Sequence, residues 1–387
     1  MNRTHAADHG PANPGEGLPI PYFMKVLRTT LAGCALLAIL PGPAYAWSLF
    51  ASDQEKAEVA RQERFNLDTH VATVSRVRNV MFRLGAAGAP LCQDDVKSLY
   101  GFEAATYRDF PKALRDAAEA AGYDSAPTIL YVAERSPAEA AGLRVGDRIK
   151  SVSNQQVSQA DSGKAVIEAL AEAGNNATAA VPLQVMRDGD LLDMTIIAIR
   201  GCDYELEVVA NHVPDAATDG RKFLVTTGLL DIVQGDEDLA FVLGHEMGHA
   251  GFGHNGKKLV GRILGAAVDA GVRIALGGVG AQVVSLVKPG ERIGAGLNSK
   301  DFEREADYLG AYLMARAGYD IDQTRDLWRR LAAEAPAIIQ KSFWSSHPNS
   351  PERMLLIGQT VAEIKSKQRD GKDLMPDMKD DNSGRKT

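Results

Sequence analysis

The chain has 387 residues, a formal net charge of −7 and an ordinary globular composition, 45% hydrophobic and 24% charged. That length leaves room for two or three domains with a sizeable core. The acidic balance and the absence of any basic block argue against a nucleic-acid partner.

The N-terminal stretch reads as a targeting segment. Met24 to Thr30 is short and basic, Leu31 to Leu40 is apolar but too short to span a bilayer, and Pro41-Gly42-Pro43 breaks any helix. Ala44-Tyr45-Ala46 then gives a small-x-small cleavage pattern, so residues 1–46 are expected to leave and Trp47 to begin the mature chain. A periplasmic or secreted location is the expectation. Met24 reads as the true start, with an unusually long basic region as the alternative. Leu31-Ala32-Gly33-Cys34 has the form of a lipoprotein box, but Cys34 lies near the start of the apolar run, where a lipidated cysteine should follow it. Lipidation there is the weaker reading. Cys92 and Cys202 then remain, and in an oxidising compartment an even pair reads as a disulfide. Two buried free thiols are the alternative.

The region 47–124 opens on a long helix from Ser52 to Leu84. Val71, Val74, Val77, Met81 and Leu84 recur at spacings of three and four, and Gly85 and Gly88-Ala89-Pro90 stop the run. This helix is expected to pack on the main body. A second, short helix is expected near Pro111–Ala121.

Residues 125–200 read as a separate, strand-rich module. Thr128–Val132 and Ile149–Val152 have strand character, and Ser136-Pro137 caps and starts a short helix. Lys164–Ala173 is a helix, and Val181–Arg187 with Asp193–Ile199 forms a hairpin across Asp188-Gly189-Asp190. Ser-Pro-Ala-x-x-Ala-Gly-Leu-x-x-Gly-Asp-x-Ile, running from Ser136 to Ile149, resembles a bacterial-type PDZ domain. The resemblance implies a groove between Ile129–Val132 and Lys164–Ala173 that takes an extended peptide as an added strand. Use as a spacer or lid is the alternative.

Residues 201–367 carry the chemistry. Lys222–Thr227 is a strand just ahead of the helix opened by Asp238-Leu239-Ala240, and it is placed to be an edge that pairs with a substrate peptide, with an ordinary interior strand as the alternative. The helix contains His245-Glu246-Met247-Gly248-His249. Two histidines four apart are offset by only ~40°, so both imidazoles leave one face and can hold a zinc ion with positions open. Glu246, about 100° round, is placed to take a proton from a water there. His254 is out of register for a third ligand and reads as structural. Ile274–Val287 is uncharged but shorter than the ~20 residues of a spanning helix. It reads as a buried helix or a flap, with contact to a membrane surface as the alternative.

The third ligand is expected downstream. From Ser299 a second helix carries Glu303 and Asp307 on one face, with small Ala306 beside them and Glu305 opposite. Glu303 can complete the metal set while Asp307 orients a ligand histidine. His-Glu-x-Gly-His followed by Glu-x-Glu-Ala-Asp, and then His347-Pro348-x-x-x-x-Arg353, resembles the gluzincin metallopeptidases of the HtpX, BepA and CAAX-prenyl-protease family. That resemblance implies Glu303 as the third ligand. It also implies a place for His347 near the metal, either stabilising an oxyanion or occupying the open position at rest. Arg353 would hold the carboxylates or the loop. The lack of convincing spanning helices points to a soluble, periplasmic type.

The expected fold is α+β: a mainly helical peptidase domain with a small sheet, plus the β-rich PDZ-like module. Residues 368–387 read as a disordered tail. The expected activity is zinc-dependent cleavage, with one zinc per chain, of misfolded or misassembled envelope proteins. Partners would be extended polypeptides, with peripheral contact to membrane or outer-membrane assembly machinery. The competing reading is a non-catalytic peptide-binding, chaperone-like protein with a silenced zinc site, against which Glu246 argues because a structural site needs no base.

Overall fold

Apolar residues three and four apart build a single long helix, α1 (Asp53–Gly88), about 54 Å from end to end. Residues 53–66 are exposed, while Val77, Val80, Met81 and Leu84 are buried. The computed structural model describes residues 52–92, 95–157, 163–174, 179–251, 300–324, 326–329 and 351–377. The leader, His254, the 274–287 stretch and His347 lie outside them. From Gln54 onward the chain forms one compact unit.

In chain order the next elements are β1 (Val96–Leu99), β2 (Phe102–Ala105), α2 (Arg115–Ala120), β3 (Thr128–Val132), α3 (Pro137–Ala140), β4 (Arg148–Val152) and β5 (Gln155–Gln156). Then come α4 (Gly163–Ala173), β6 (Ala180–Arg187), β7 (Asp190–Ile197), β8 (Ile199–Cys202) and β9 (Glu205–Val209). The last group is β10 (Ala216–Thr218), β11 (Lys222–Thr226), α5 (Thr227–Leu230), α6 (Asp236–Gly251), α7 (Lys300–Arg316) and α8 (Pro351–Arg369). Among the described residues no helix is long and apolar enough to cross a membrane.

The inserted module is a six-stranded sheet in the order β2-β3-β4-β6-β7, with β5 on β4. Its fold therefore draws on Phe102–Ala105, upstream of the boundary expected at residue 125. The hairpin β6–β7 turns on two residues, Asp188 at φ 51° and Gly189 at φ 94°. Two left-handed residues match the strand twist, so Asp190 already belongs to the strand. Ile199 leaves the hairpin expected to contain it: β8 pairs instead with β1, Leu99 opposite Ile199 and Val96 opposite Cys202. That ribbon closes the base of the module. Cys92 and Cys202 are disulfide-bonded there, with Cα atoms 5.5 Å apart and 110 positions between them.

The peptide groove expected along Ile129–Val132 is corrected by the sheet order, because β3 is paired on both sides, to β2 and to β4. The outer strand on that side is β2. Helix α4 lies against it so closely that a Cβ on Gly163 would come within 1.5 Å of the Ala104 carbonyl oxygen. At the other end of α4 the Tyr100 hydroxyl donates to the Leu170 carbonyl at 2.6 Å.

The main body buries α1 against the later helices. Val77, Val80, Met81 and Leu84 share one apolar core with Phe241, Leu243, Tyr312, Trp328 and Ile357. Each such side chain contributes about 1.5–3 kcal/mol by leaving water. The second sheet runs β10-β11-β9, with β10 antiparallel and β9 parallel to β11. Lys222–Thr226 is thus the central strand and not the expected edge; both its sides are taken. The tail expected to be disordered from residue 368 is ordered through Asp377. Arg316 donates to the Leu374 carbonyl at 3.1 Å, Lys367 pairs with Asp377 at 2.8 Å, and the Asp377 N–H donates to the Tyr308 hydroxyl at 3.0 Å.

Closing a loop of that length by a disulfide stabilises a fold by about 2–5 kcal/mol. Reduction, or Cys202→Ser, is expected to lower the melting temperature by several degrees. Mass spectrometry without reductant should find the Cys92–Cys202 peptide pair, and free thiols with an unchanged melting temperature would contradict the pairing.

Candidate metal centre

Small residues decide where the two central helices meet. Gly244 and Gly248 lie four apart on α6, as do Ala306 and Gly310 on α7, and the two pairs are in contact. A Cβ on Gly248 would stand 2.6 Å from the Ala306 carbonyl oxygen, and one on Gly310 would stand 2.8 Å from the His245 backbone nitrogen. Nothing larger fits at this crossing. The approach brings the His245 face of α6 directly over the Glu303 face of α7.

Three donors converge as a result. Glu303 lies 3.5 Å from the Nε2 of His245 and 3.5 Å from that of His249, and the two Nε2 atoms are 3.1 Å apart. Their ligand atoms all fall within 4.8 Å of one another, and all three residues are buried. Asp307 Oδ1 lies 2.9 Å from His245 Nδ1. That bond puts the ring proton on Nδ1 and leaves Nε2 facing the centre. Burial opposes charge on His245, but the bonded carboxylates of Asp307 and Glu303 outweigh it and push its pKa up to about 9.

Arg353 reaches the cluster from α8. Its Nε and Nη2 each donate to Asp307 at 2.7 Å, and its Nη1 lies 3.1 Å from Glu303. It is only 3% exposed. Burial works against ionisation of Asp307, yet Arg353 and His245 hold its pKa below the usual carboxylate value. Arg353, expected to hold the carboxylates or the loop, holds the carboxylates Asp307 and Glu303.

Glu246 is buried beside the two histidines and accepts a hydrogen bond from the backbone of Thr218, at the end of β10. Burial raises its pKa despite the nearby imidazoles. A carboxylate raised in this way is suited to receive a proton. Thr218 was not singled out in the sequence, because nothing in the string shows which strand runs past the helix.

The donor set fits a zinc ion. Two imidazole nitrogens and one carboxylate oxygen are the ligand types of a catalytic zinc site, and the oriented histidine supplies the supporting bond such sites use. Charge points the same way. Glu246, Glu303 and Asp307 are all buried, with Arg353 as the buried guanidinium among them. Buried carboxylates need compensating positive charge, and a bound cation would add to what Arg353 supplies.

Residues 193–360 match the model of Peptidase family M48, and residues 128–179 match that of the PDZ domain. The chain is 32% identical over 184 residues to the mitochondrial metalloendopeptidase OMA1 of Schizosaccharomyces pombe, covering 44% of this chain and 52% of that one. With the protein of the same name from Arabidopsis thaliana the identity is 29% over 165 residues, 42% of this chain and 32% of the other. The chain thus matches about half, or less, of these relatives' length. A crystal structure of the HtrA3 PDZ domain bound to a phage-derived ligand aligns at 23% identity and a TM-score of 0.21, over 27% of this chain and 88% of that one.

The relatives correct two expectations. They are mitochondrial OMA1 proteins and not specifically the HtpX or BepA type. The periplasmic or secreted location is overturned with the same finding. The physical reason lies in the leader: a basic run, an apolar run and small residues make up a composition that does not encode one compartment.

Zinc binding tests the assignment of His245, His249 and Glu303 as a donor set. Glu303→Ala is expected to strip the metal, and Glu305→Ala to leave it in place, as read by metal analysis of the purified proteins. The reverse pattern would refute the assignment. Gly248→Ala forces the helices apart, with an overpacking cost of about 1–3 kcal/mol. It should weaken zinc affinity by about ten-fold or more although no ligand is touched.

Proposed function

We propose that the protein is a zinc-dependent endopeptidase that cleaves misfolded or misassembled polypeptides. His245, His249 and Glu303 hold the ion, and Glu246 is the general base. The observation that carries this reading is the buried convergence of those three donors beside Glu246. A zinc ion held there supplies Lewis acidity toward a peptide carbonyl.

The chain's own residues supply the rest. Glu246 takes the proton of the attacking water and passes it to the leaving nitrogen. The Thr218 backbone bond fixes its carboxylate, so the proton moves along a set direction. Substrate would pair as a strand along β10, one of the two outer strands of the small sheet among the described strands. The register supports this. The Asp219 N–H donates to Lys222 and the Thr226 N–H to Asp215, so residues 215, 217 and 219 turn their backbone groups toward β11. Ala216 and Thr218 turn theirs outward, where Thr218 meets Glu246 and Ala216 is left to meet a peptide.

His347 keeps the role that the family resemblance gives it, near the centre as oxyanion partner or resting occupant. In the PDZ domain an extended peptide would add to β2, and that requires α4 to move off Ala104.

The test uses an unfolded protein such as casein. Glu246→Gln is expected to retain zinc and to lower the cleavage rate by at least about 100-fold. A wild type that binds zinc and peptides normally yet cleaves nothing would sink the enzyme reading. A trapping pull-down with the Glu246→Gln protein would then identify what it retains.

A further inference from the structure

Trp328 has not entered the chemistry so far, yet two of its ring contacts are groups of the metal centre. It sits on the helical residues 326–329 and is 2% exposed. The Arg353 guanidinium carbon lies 4.4 Å from the centre of its ring. The His245 ring stands 6.0 Å away, nearly edge-on at 78°, and Phe241 stands 5.8 Å away at 88°.

We propose that Trp328 is a positioning residue of the metal centre: its indole fixes the plane of Arg353 and the ring of His245 at once. The inference rests on the reading of His245, His249 and Glu303 as a metal site. The contacts close a ring of four residues. His245 is bonded to Asp307, Asp307 to Arg353, Arg353 lies against Trp328, and Trp328 returns to His245. A guanidinium is planar, and all three of its donor nitrogens here are committed in that plane, two to Asp307 and one to Glu303. Such a group can still tilt as a unit, which would carry both carboxylates with it. An aromatic face beneath the plane opposes the tilt, and attraction between cation and ring favours contact over separation. Phe241 in turn stops the indole from rotating away. A smaller apolar residue would fill space without supplying the face.

The test compares zinc affinity, by competition with a chromophoric chelator, in the full chain and its variants, with circular dichroism reporting the fold. Trp328→Phe keeps an aromatic face and should hold zinc within about three-fold of wild type. Trp328→Leu should bind about 10–100-fold more weakly while folded, with an altered cobalt absorption spectrum. The double variant Trp328→Leu, Arg353→Met should lose clearly less than the sum of the two single losses, because Trp328 acts in part through that guanidinium. A folded Trp328→Leu that binds zinc as wild type does, or losses that simply add, would overturn the proposal. Should Trp328→Leu not fold, the indole N–H resonance missing from Trp328→Phe gives the decision. It must shift when zinc is added to wild type, and a resonance that stays still overturns the idea. A wild type that takes up no zinc sinks the metal reading and this inference together, whereas a Trp328→Leu protein equal to a zinc-binding wild type sinks this inference alone.

Discussion

The structure depends on one close helix crossing. Gly244, Gly248, Ala306 and Gly310 let α6 and α7 approach until backbone meets backbone. With a larger residue at any of these positions, Glu303 would stand back from the histidines and the three donors would not converge. The glycine in His-Glu-x-Gly-His is therefore a packing requirement, distinct from the chemistry of its neighbours. It lies on the face toward α7 because it is one turn on from Gly244 and close in angle to His245.

The second constraint is charge. An apolar core surrounds the cluster, so each ionised group within it must be compensated. Arg353 meets part of that demand, and its three donor nitrogens are all used on Asp307 and Glu303 of α7. Removing it would strand Asp307 and Glu303 without their counter-charge, a loss of the order of 3–5 kcal/mol for a buried pair. The same change to an exposed pair such as Arg61 with Glu58 would cost about 0–1 kcal/mol. Arg353 thus belongs to the architecture of the centre as much as His245, His249 and Glu303 do.

What the sequence made legible was whatever a local spacing encodes. His245, His249 and Glu246 follow from one turn of helix. Glu303, Asp307 and the small Ala306 follow from another, and the turn at Asp188-Gly189 marks a hairpin. The strand errors share a different origin. Thr128–Val132 and Lys222–Thr226 were both recognised as strands, but neither string says how many neighbours a strand has. Both are interior, with their open edges passed to Phe102–Ala105 and Ala216–Thr218. Those two edges are short and rich in alanine, a composition that signals a strand weakly. Arg353 could be named from its motif but not weighed, because burial is a property of packing. Trp328 gave no signal, since an isolated tryptophan looks the same in any core.

How the strand-rich module is held to the main body follows from comparing two kinds of contact. Arg76 pairs with Asp236 at the start of α6, and Arg78 pairs with Glu103 on β2, so α1 touches both parts through charged side chains. The Arg76–Asp236 pair is over a third exposed, and solvent screening leaves it little energy. The apolar contacts are stronger. Phe82 of α1 packs with Leu99, Tyr131 and Ala133 of the module, next to Met81 and two positions before Leu84, which enter the main core. Burial of these side chains, at about 1.5–3 kcal/mol each, outweighs the ion pairs and joins the two parts along one rigid helix. With the Cys92–Cys202 bond at its base, the module is fixed at two points. Any peptide that adds to β2 must therefore displace α4 within the module, because the rest of its frame is already held.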